Sequence, residues 1–562
     1  MVNHVSFRKT FLLLLPLFLI PSFAHNVTAT SALEEANYLD ITETWTHLPL
    51  LYESQYHNTT ALWEEIDHFV GIAPEIIDVE IIGKSYFNNT IKAIRITNEL
   101  RTYQKAKTLV VSHHHGREQI SVEMALQFIL YLLTGYGVDP LITDAIDTQE
   151  IWIIPTINPD ALDMVVNDQN YWLRKNARPF DDDGDGLLDE DPLEDTNGDG
   201  IISGFYVYEK NGEDLTHVST YYEGIDNDGD GLINEDMVGH VDLNRNYDMF
   251  FKDGSSWDVD SQEHAYPGET AFSEPEIQVY RDFALQHRFS MAYSLHSGTE
   301  ATYFAKNSLD FLEPDIVGEM MIDYAAMLPS SFYFNDYFPG DPNDDPYYAA
   351  GIWDTWMYFE RDTLIPISLE LYGNLSTHTT EFENIIVDNA THLITEWKDI
   401  FNFYNPVEQD INSIWDTWQP AFAYLLQNTP KLDVDALLHS TDNSPESQVN
   451  ITFTCTNLSP KLRSMTPVDI YDSDGAKIYN GMEILADSTA LIETTFTLPA
   501  DSNERYEIKI GNEYVGYYHY YVQPSESTFT IFGFSIIGVS LAGLGTSIYL
   551  LKLIKIKIRR KT

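Results

Sequence analysis

Apolar and polar positions change rhythm along the chain, and each rhythm predicts a different kind of element. Ile77–Gly83, Ile91–Thr97 and Thr108–His113 are short, rich in β-branched residues and bounded by polar ones, as strands are. Val122–Thr134 instead places Met124, Phe128, Ile129 and Leu132 on one face of a helix. Ile151–Asn158 is a nearly continuous apolar run, expected of a strand covered on both faces. Helical patterns at Thr391–Phe403 and Ile414–Leu425 close the region. Strands alternating with helices from about 46 to 428 predict an α/β fold, a mixed central sheet flanked by helices. From 430 the helical spacing stops. Val449–Asn457, Ala490–Leu498 and Tyr506–Gly511 alternate with period two, which predicts a small all-β sandwich over 430–523.

Both ends carry apolar runs of another kind. Arg8 and Lys9 precede Phe11–Ala24, and Ser22-Phe23-Ala24 suits a cleavage site, so residues 1–24 are expected to be a signal peptide. Phe529–Leu551 is 23 residues without a charge, long enough for a transmembrane helix. The basic tail 552–562 after it places the C-terminus in the cytoplasm and the rest outside. The expectation is an exported, single-pass cell-surface protein.

Composition sharpens this. The chain has 562 residues, enough for more than one domain, and carries 87 Asp and Glu against 32 Lys and Arg, a net charge of -55. That balance excludes nucleic acid as a partner and fits a saline or acidic milieu or cation loading. Cys455 is the only cysteine, so no internal disulfide forms. Glycosylation sequons at Asn26, Asn58, Asn88, Asn374, Asn389, Asn450 and Asn457 suit an exported glycoprotein. Oligomeric state is not written in the sequence.

An internal repeat absorbs part of the charge. Residues 181–191 read DDDGDGLLDED, 195–203 read DTNGDGIIS and 226–236 read DNDGDGLINED. Oxygen side chains stand at positions 1, 3, 5 and 9, with Gly at 4 and 6. Alternating oxygen donors on a tight turn suit a hard cation, calcium above all. The candidate ligands are Asp181, Asp183, Asp185, Asp189 and Asp191; Asp195, Asn197 and Asp199; and Asp226, Asp228, Asp230, Asn234 and Asp236. Position 12 carries Pro192, Tyr206 and Met237 rather than the bidentate Glu of a helix-loop-helix site. The loops are similar to the shorter Asp loops of dockerins and thrombospondin-type repeats.

The candidate catalytic chemistry begins in VVSHHHGREQIS, residues 110–121. Three adjacent histidines follow a strand-like run, and His115 has Glu118 three residues on, a donor pair suited to zinc. Further motifs follow in order: Asn158-Pro-Asp, Trp172-Leu-Arg174, Asp242-Leu-Asn244-Arg245-Asn246, Tyr266-Pro-Gly268, Ser294-Leu-His296-Ser297, Tyr347-Tyr-Ala-Ala-Gly351 and Leu369-Glu370-Leu371. Together these resemble the zinc metallocarboxypeptidases of the carboxypeptidase A/B type, a resemblance that covers residues 33–428.

The resemblance implies one catalytic zinc held by His115, Glu118 and His296. Glu370 becomes the general base, and Arg174 the electrophilic group for the oxyanion. Asn244, Arg245 and Tyr347 become the binding set for a free C-terminal carboxylate, with Tyr348 adjacent to Tyr347. Arg117 and Ser297 are expected to line neighbouring subsites, and Asp242 to hold the His115 ring. Asp354 falls at the base of the pocket for the C-terminal side chain, which would favour Lys or Arg. His113 and His114 are left as strand-end or rim residues. The implied substrates are peptides or proteins with a free C-terminus. A cell-wall or other amide hydrolase on the same fold, or an inactive calcium-dependent binding protein, are the alternatives. Seventy residues separate Arg174 from Asn244, more than in shorter members, and the Asp repeats (180–236) lie inside that insertion.

Overall fold

The computed structural model describes residues 48–533, apart from 54, 101–103, 183, 213, 230, 232, 235, 254–256, 306–326, 330–332, 338–349, 388–389, 439–445, 459–464, 486–487, 499–505 and 524–529. The expected signal peptide, the basic tail, Asp183, Asp230 and Tyr347 lie outside the described residues, as do Asn26 and Asn389.

In chain order the first strands are β1 (Ile77–Lys84), β2 (Thr90–Ile96), β3 (Gln104–Ser112), β4 (Gln149–Ile154), β5 (Gly204–Asn211) and β6 (Asp214–Tyr222). Then come β7 (Met291–His296), β8 (Thr299–Ala305), β9 (Tyr333–Tyr337), β10 (Ile365–Tyr372), β11 (His378–Val387) and β12 (Ala390–Trp397). The last are β13 (Leu432–Leu438), β14 (Gln448–Asn457), β15 (Met465–Tyr471), β16 (Lys477–Leu485), β17 (Thr489–Thr497), β18 (Tyr506–Asn512), β19 (Gly516–Gln523) and β20 (Thr530–Gly533).

The central sheet runs β1-β2-β4-β3-β7-β10-β8-β9. Strands β4, β3, β7 and β10 are mutually parallel, and β1, β2 and β8 pair antiparallel to their inner neighbours. Helices α1 (Thr59–Ile72), α2 (Ile120–Gly135), α3 (Pro140–Thr148), α4 (Pro159–Asp168) and α5 (Pro275–Gln286) cover it, with later helices at Trp353–Phe359 and Ile411–Asn428. Leu109, Val111, Ile154 and Ala292 from the strands pack with Ile277, Tyr280, Phe283, Trp353 and Trp356. Each large side chain buried this way contributes about 1.5–3 kcal/mol. From β3 the chain passes through α2 and α3 to β4 on one side, whereas β7 joins β3 on the other. The C-terminal ends of β3 and β7 therefore form a topological switch point, where open α/β sheets place their binding crevice.

Two features differ from expectation. Residues 391–397 form strand β12 rather than the start of a helix, and only Ile400–Tyr404 is helical there. β12 sits between β11 and β5 in a four-stranded sheet ordered β11-β12-β5-β6. Its β-branched Thr391, Ile394 and Thr395 suit that place, and the partner strand comes from the 180–236 insertion nearly 200 residues away. Second, Thr530–Gly533, the start of the apolar run 529–551, pairs with β19 as strand β20; residues 534–551 lie outside the described residues.

The β-rich region forms a three-stranded sheet, β13-β14-β17, and a second sheet through β16-β15-β18-β19. Val434, Phe453, Cys455, Ile470, Ile508 and Tyr520 share its apolar core. β19 also pairs with the beginning of β3, Gly516 beside Lys105 and Tyr517 beside Gln104. Ser290 Oγ donates to Tyr514 O at 2.6 Å and Arg288 meets Glu513 at 2.7 Å across the same seam. Asn457 is fully buried and its amide donates to Ile484 O at 2.9 Å, so that sequon is closed to glycosylation in the folded chain.

Candidate active site

The three consecutive histidines leave β3 on a sharp turn in which His113 takes a left-handed φ of 65°. The turn sends the rings in different directions. His113 is fully buried, bonded to Thr156 Oγ1 at 3.0 Å and Gly116 O at 2.9 Å; burial pushes its pKa down to about 4. His114 is also fully buried, which corrects the expectation of a rim position. Its ring meets Tyr247 Oη at 2.9 Å and stacks on His296, centroids 5.4 Å apart. Burial, with the neighbouring His296 and His115, holds it well below the usual range, a neutral spacer behind the site.

His115 turns toward Glu118, its Nδ1 2.7 Å from Oε1. His296, the last residue of β7, brings its Nδ1 to 3.0 Å from Glu118 Oε2. The donor atoms of all three residues lie within 4.8 Å of one another. Tetrahedral zinc holds nitrogen and oxygen donors about 3.3 Å apart, so small side-chain adjustments admit the ion. Both rings are fixed from behind: His115 Nε2 by Asp242 Oδ1 at 3.2 Å, and His296 Nε2 by Ser294 Oγ at 3.0 Å. Such outer partners orient metal-binding imidazoles. Burial alone would raise the Glu118 carboxyl, but the charges and hydrogen bonds of His115 and His296 hold it well below its ordinary range. The residues present therefore fit zinc.

Glu118 stands two residues before α2, whose N-cap Gln119 supplies no side-chain cap. Asn405 supplies one from the far end of the domain. Its Oδ1 accepts from Ile120 N at 2.9 Å and its Nδ2 donates to Arg117 O at 2.9 Å.

Asp242 joins three parts of the site. It bonds His115, caps the turn that carries Asn244 at 2.8 Å, and binds Arg174 at 3.0 Å to Nε and 2.9 Å to Nη2. Burial would raise its carboxyl, but Arg174, His115 and Arg245 hold it well below the usual range. Asn244 accepts Trp353 N–H on Oδ1 at 2.8 Å. Glu370 lies on β10 directly beside His296 in the parallel register.

Arg174, Asn244, Arg245, Ser297 and Glu370 line one cleft of about 220 Å³ with the three metal-site residues. Gly298, Thr299, Tyr303, Ile352 and Tyr404 complete its wall. Ser297 also donates its N–H to Glu118 Oε2 at 3.2 Å.

One expected contact falls elsewhere, and a second lies below the cleft surface. Arg117 does not line the cleft; its guanidinium lies buried over the Tyr404 ring, 4.4 Å from the centroid, and Tyr404 faces the cleft instead. Asp354 is fully buried, bonded to Ser368 Oγ at 3.3 Å and Thr355 Oγ1 at 3.1 Å. Ser368 and Glu370 share one face of β10, so Asp354 sits beneath the cleft floor, where burial pushes its carboxyl up to about 6. Tyr404 and Tyr303 were not singled out from the sequence, since neither stands in a motif and only folding brings them to the metal residues; Ser294 stands in the His296 motif but was given no role there.

Both ends of the insertion attach at this site. Asn176 N donates to Val241 O at 2.9 Å and Asn176 Oδ1 accepts from Val241 N at 3.0 Å, clamping the stems beside Arg174 and Asp242.

Residues 63–403 match the zinc carboxypeptidase family. A zinc carboxypeptidase of Saccharothrix mutabilis subsp. capreolus is 32% identical over 127 residues, 22% of this chain and 29% of that protein. One from Simulium vittatum is 22% identical over 326 residues, 56% of this chain and 86% of that protein. Rat carboxypeptidase A2 is 23% identical over 24% of this chain and 31% of that protein, so the matches to these curated relatives range from under a third to most of their length. The solved carboxypeptidase A of Helicoverpa armigera superposes with a TM-score of 0.43 and 18% identity, over 66% of this chain and 74% of that one. With the matched region spanning most of the chain and the zinc-fitting triad inside it, the chain belongs to the zinc carboxypeptidase family.

Proposed function

We propose that the protein is an exported, membrane-anchored zinc carboxypeptidase that hydrolyses the C-terminal peptide bond of peptides and proteins. The observation that carries this is the convergence of a zinc-fitting triad, an acidic base and three polar or cationic binding groups on one cleft. Bound zinc supplies a Lewis acid for the scissile carbonyl and lowers the pKa of water. Glu370 takes the proton of the attacking water and returns it to the departing amine. Arg174, held in orientation by Asp242, faces the oxygen on which negative charge develops. Arg245 and Asn244 receive the substrate's free carboxylate, the guanidinium matching its two oxygens. By its motif, Tyr347 is assigned to that same carboxylate. Asp354 beneath the floor selects Lys or Arg at the C-terminus.

The remainder of the reading concerns setting. Residues 1–24 direct export, the apolar run ending at Leu551 anchors the chain, and residues 430–523 form an all-β sandwich module outside the membrane. Asn88 and Asn450 are exposed sequon residues and the preferred glycosylation sites. The Asp-rich insertion binds calcium.

The test is release of the C-terminal residue from peptides by the full-length protein. Activity should vanish with a zinc chelator, return with zinc, and fall by about 10²-fold or more in Glu370→Gln. Peptides ending in Lys should be preferred to those ending in Leu or Glu, and amidated peptides should resist. Activity indifferent to the chelator, or equal on amidated peptides, would reject the assignment; preference for Leu would reject the role of Asp354 alone.

A further inference from the structure

The two outer Asp loops exchange the same bond. Asp182 N donates to Asp236 Oδ1 at 2.6 Å, and Asn227 N donates to Asp191 Oδ1 at 2.8 Å. Asp182 and Asn227 are each second in their loop, and Asp191 and Asp236 are each eleventh, so loops 181–191 and 226–236 are paired reciprocally. Inside each loop the first Asp accepts the fourth and sixth N–H groups: Asp181 at 2.7 and 3.0 Å, Asp226 at 2.6 and 3.1 Å. The backbones repeat as well, with φ of 99° at Gly186 and 100° at Gly231, and of 52° at Asp189 and 60° at Asn234. The sixth position needs glycine, because a side chain is strained there. Loop 195–203 stands outside the exchange: its second N–H, on Thr196, goes to Glu223 at 2.9 Å.

This pairing gathers acids from both loops. Carboxylate oxygens of Asp191, Asp226 and Asp228 lie within 4.8 Å of one another, and so do those of Asp185, Glu190 and Asp228. Asp191 is fully buried, and its Oδ2 has no hydrogen-bond partner. Buried polar atoms are ordinarily satisfied, and a bare carboxylate oxygen facing two further carboxylates is costly without a cation among them. Calcium takes oxygen donors at about 2.3–2.6 Å, so ligands on opposite sides of the ion are about 5 Å apart, which this spacing suits.

We infer that the outer loops hold a divalent cation between them, at Asp191 of one loop and Asp226 and Asp228 of the other. Asp185 and Glu190 offer an adjoining position through the shared Asp228. This rests on the calcium reading above and narrows it: the ion belongs to the pair of loops, not to either one. Calcium is favoured over magnesium, which demands tighter octahedral geometry and keeps its water. An ion so placed crosslinks the two arms of an insertion whose stems meet beside Arg174 and Asp242.

The experiment is calorimetric titration of the zinc-loaded full-length protein with calcium chloride, and separately with magnesium chloride. Asp191→Asn and Asp226→Asn should each weaken the same calcium site by about tenfold or more, and the double variant should be little worse than either. Asp195→Asn should leave that site intact. Thermal unfolding in calcium-free buffer controls for folding: Asp191→Asn should melt at or above the wild-type temperature there, and lose the rise that calcium gives the wild type. If Asp191→Asn leaves the site that Asp226→Asn removes, or their effects add, the shared centre is wrong while calcium binding stands. If the wild type takes up no calcium, both readings fall.

Discussion

Stability should depend on pH through His57, and the structure gives the size of the effect. His57 precedes α1 and is fully buried between two acids, its Nδ1 2.8 Å from Glu123 Oε2 and its Nε2 3.9 Å from Glu65 Oε1. Its backbone N–H also donates to Glu123 at 2.9 Å, tying the chain to α2, the helix that directly follows His115 and Glu118. Burial would lower the imidazole, but Glu123 and then Glu65 reverse that and push it up to about 9 from an ordinary 6.5. A group raised in the folded state contributes stability that is complete below the unfolded value and lost as pH climbs through the folded one. Here that window is pH 6.5 to 9. At about 1.4 kcal/mol per pH unit the contribution is roughly 3 kcal/mol. The assay is urea unfolding of wild type and His57→Gln at pH 6.5 and 9.5. The wild type should lose roughly 3 kcal/mol more than the variant between those values. Lys175, pushed down to about 8 by burial, titrates in the same window but cancels in the comparison. Parallel pH dependences in the two proteins would show that His57 is not charged when folded.

Three further outcomes are expected. A Cβ on Gly83 would stand 2.4 Å from Val279 Cγ2, so Gly83→Ala should cost about 1–3 kcal/mol and Val279→Ala should relieve it in the double variant; chemical denaturation of the set decides. Asp242→Asn should weaken zinc about 10–100-fold in competition with a chromogenic chelator, because the His115 ring loses its anionic support; unchanged affinity would remove Asp242 from the site. Cys455, buried with its thiol pushed up to about 12 by burial, should resist thiol reagents at pH 8 until the protein unfolds, and rapid labelling of the folded chain would contradict its place in the core.

Much of this was legible from local pattern. β1, β2 and β3, helix α2 and the strands of the β-rich region stand where periodicity put them, because one buried face repeats at the period of the element. His115, Glu118, His296, Arg174, Asn244, Arg245 and Glu370 meet at one cleft because ordered motifs carry them. What escaped depends on distant partners. Thr391–Trp397 has enough apolar spacing for either period, and β5 decides it. Asn211-Gly212 between aromatic and β-branched runs is a hairpin signal for β5 and β6 that the acidic loops on either side obscured. Arg117 sits in the zinc motif yet turns onto Tyr404, a ring no motif marks.

The cap on α2 has a consequence in time. Ile120 and Asn405 are 285 residues apart, and His296 and Glu370 lie between them. At about 5–20 residues per second, roughly 15–60 s pass between synthesis of the first metal ligand and of the residue that seats its helix. Within that interval Asp242 and His296 emerge to meet His115 and Glu118, while the start of α2 still waits for the Asn405 side chain that caps it. Seating of α2 therefore waits for Asn405, after every residue of the metal triad has been made.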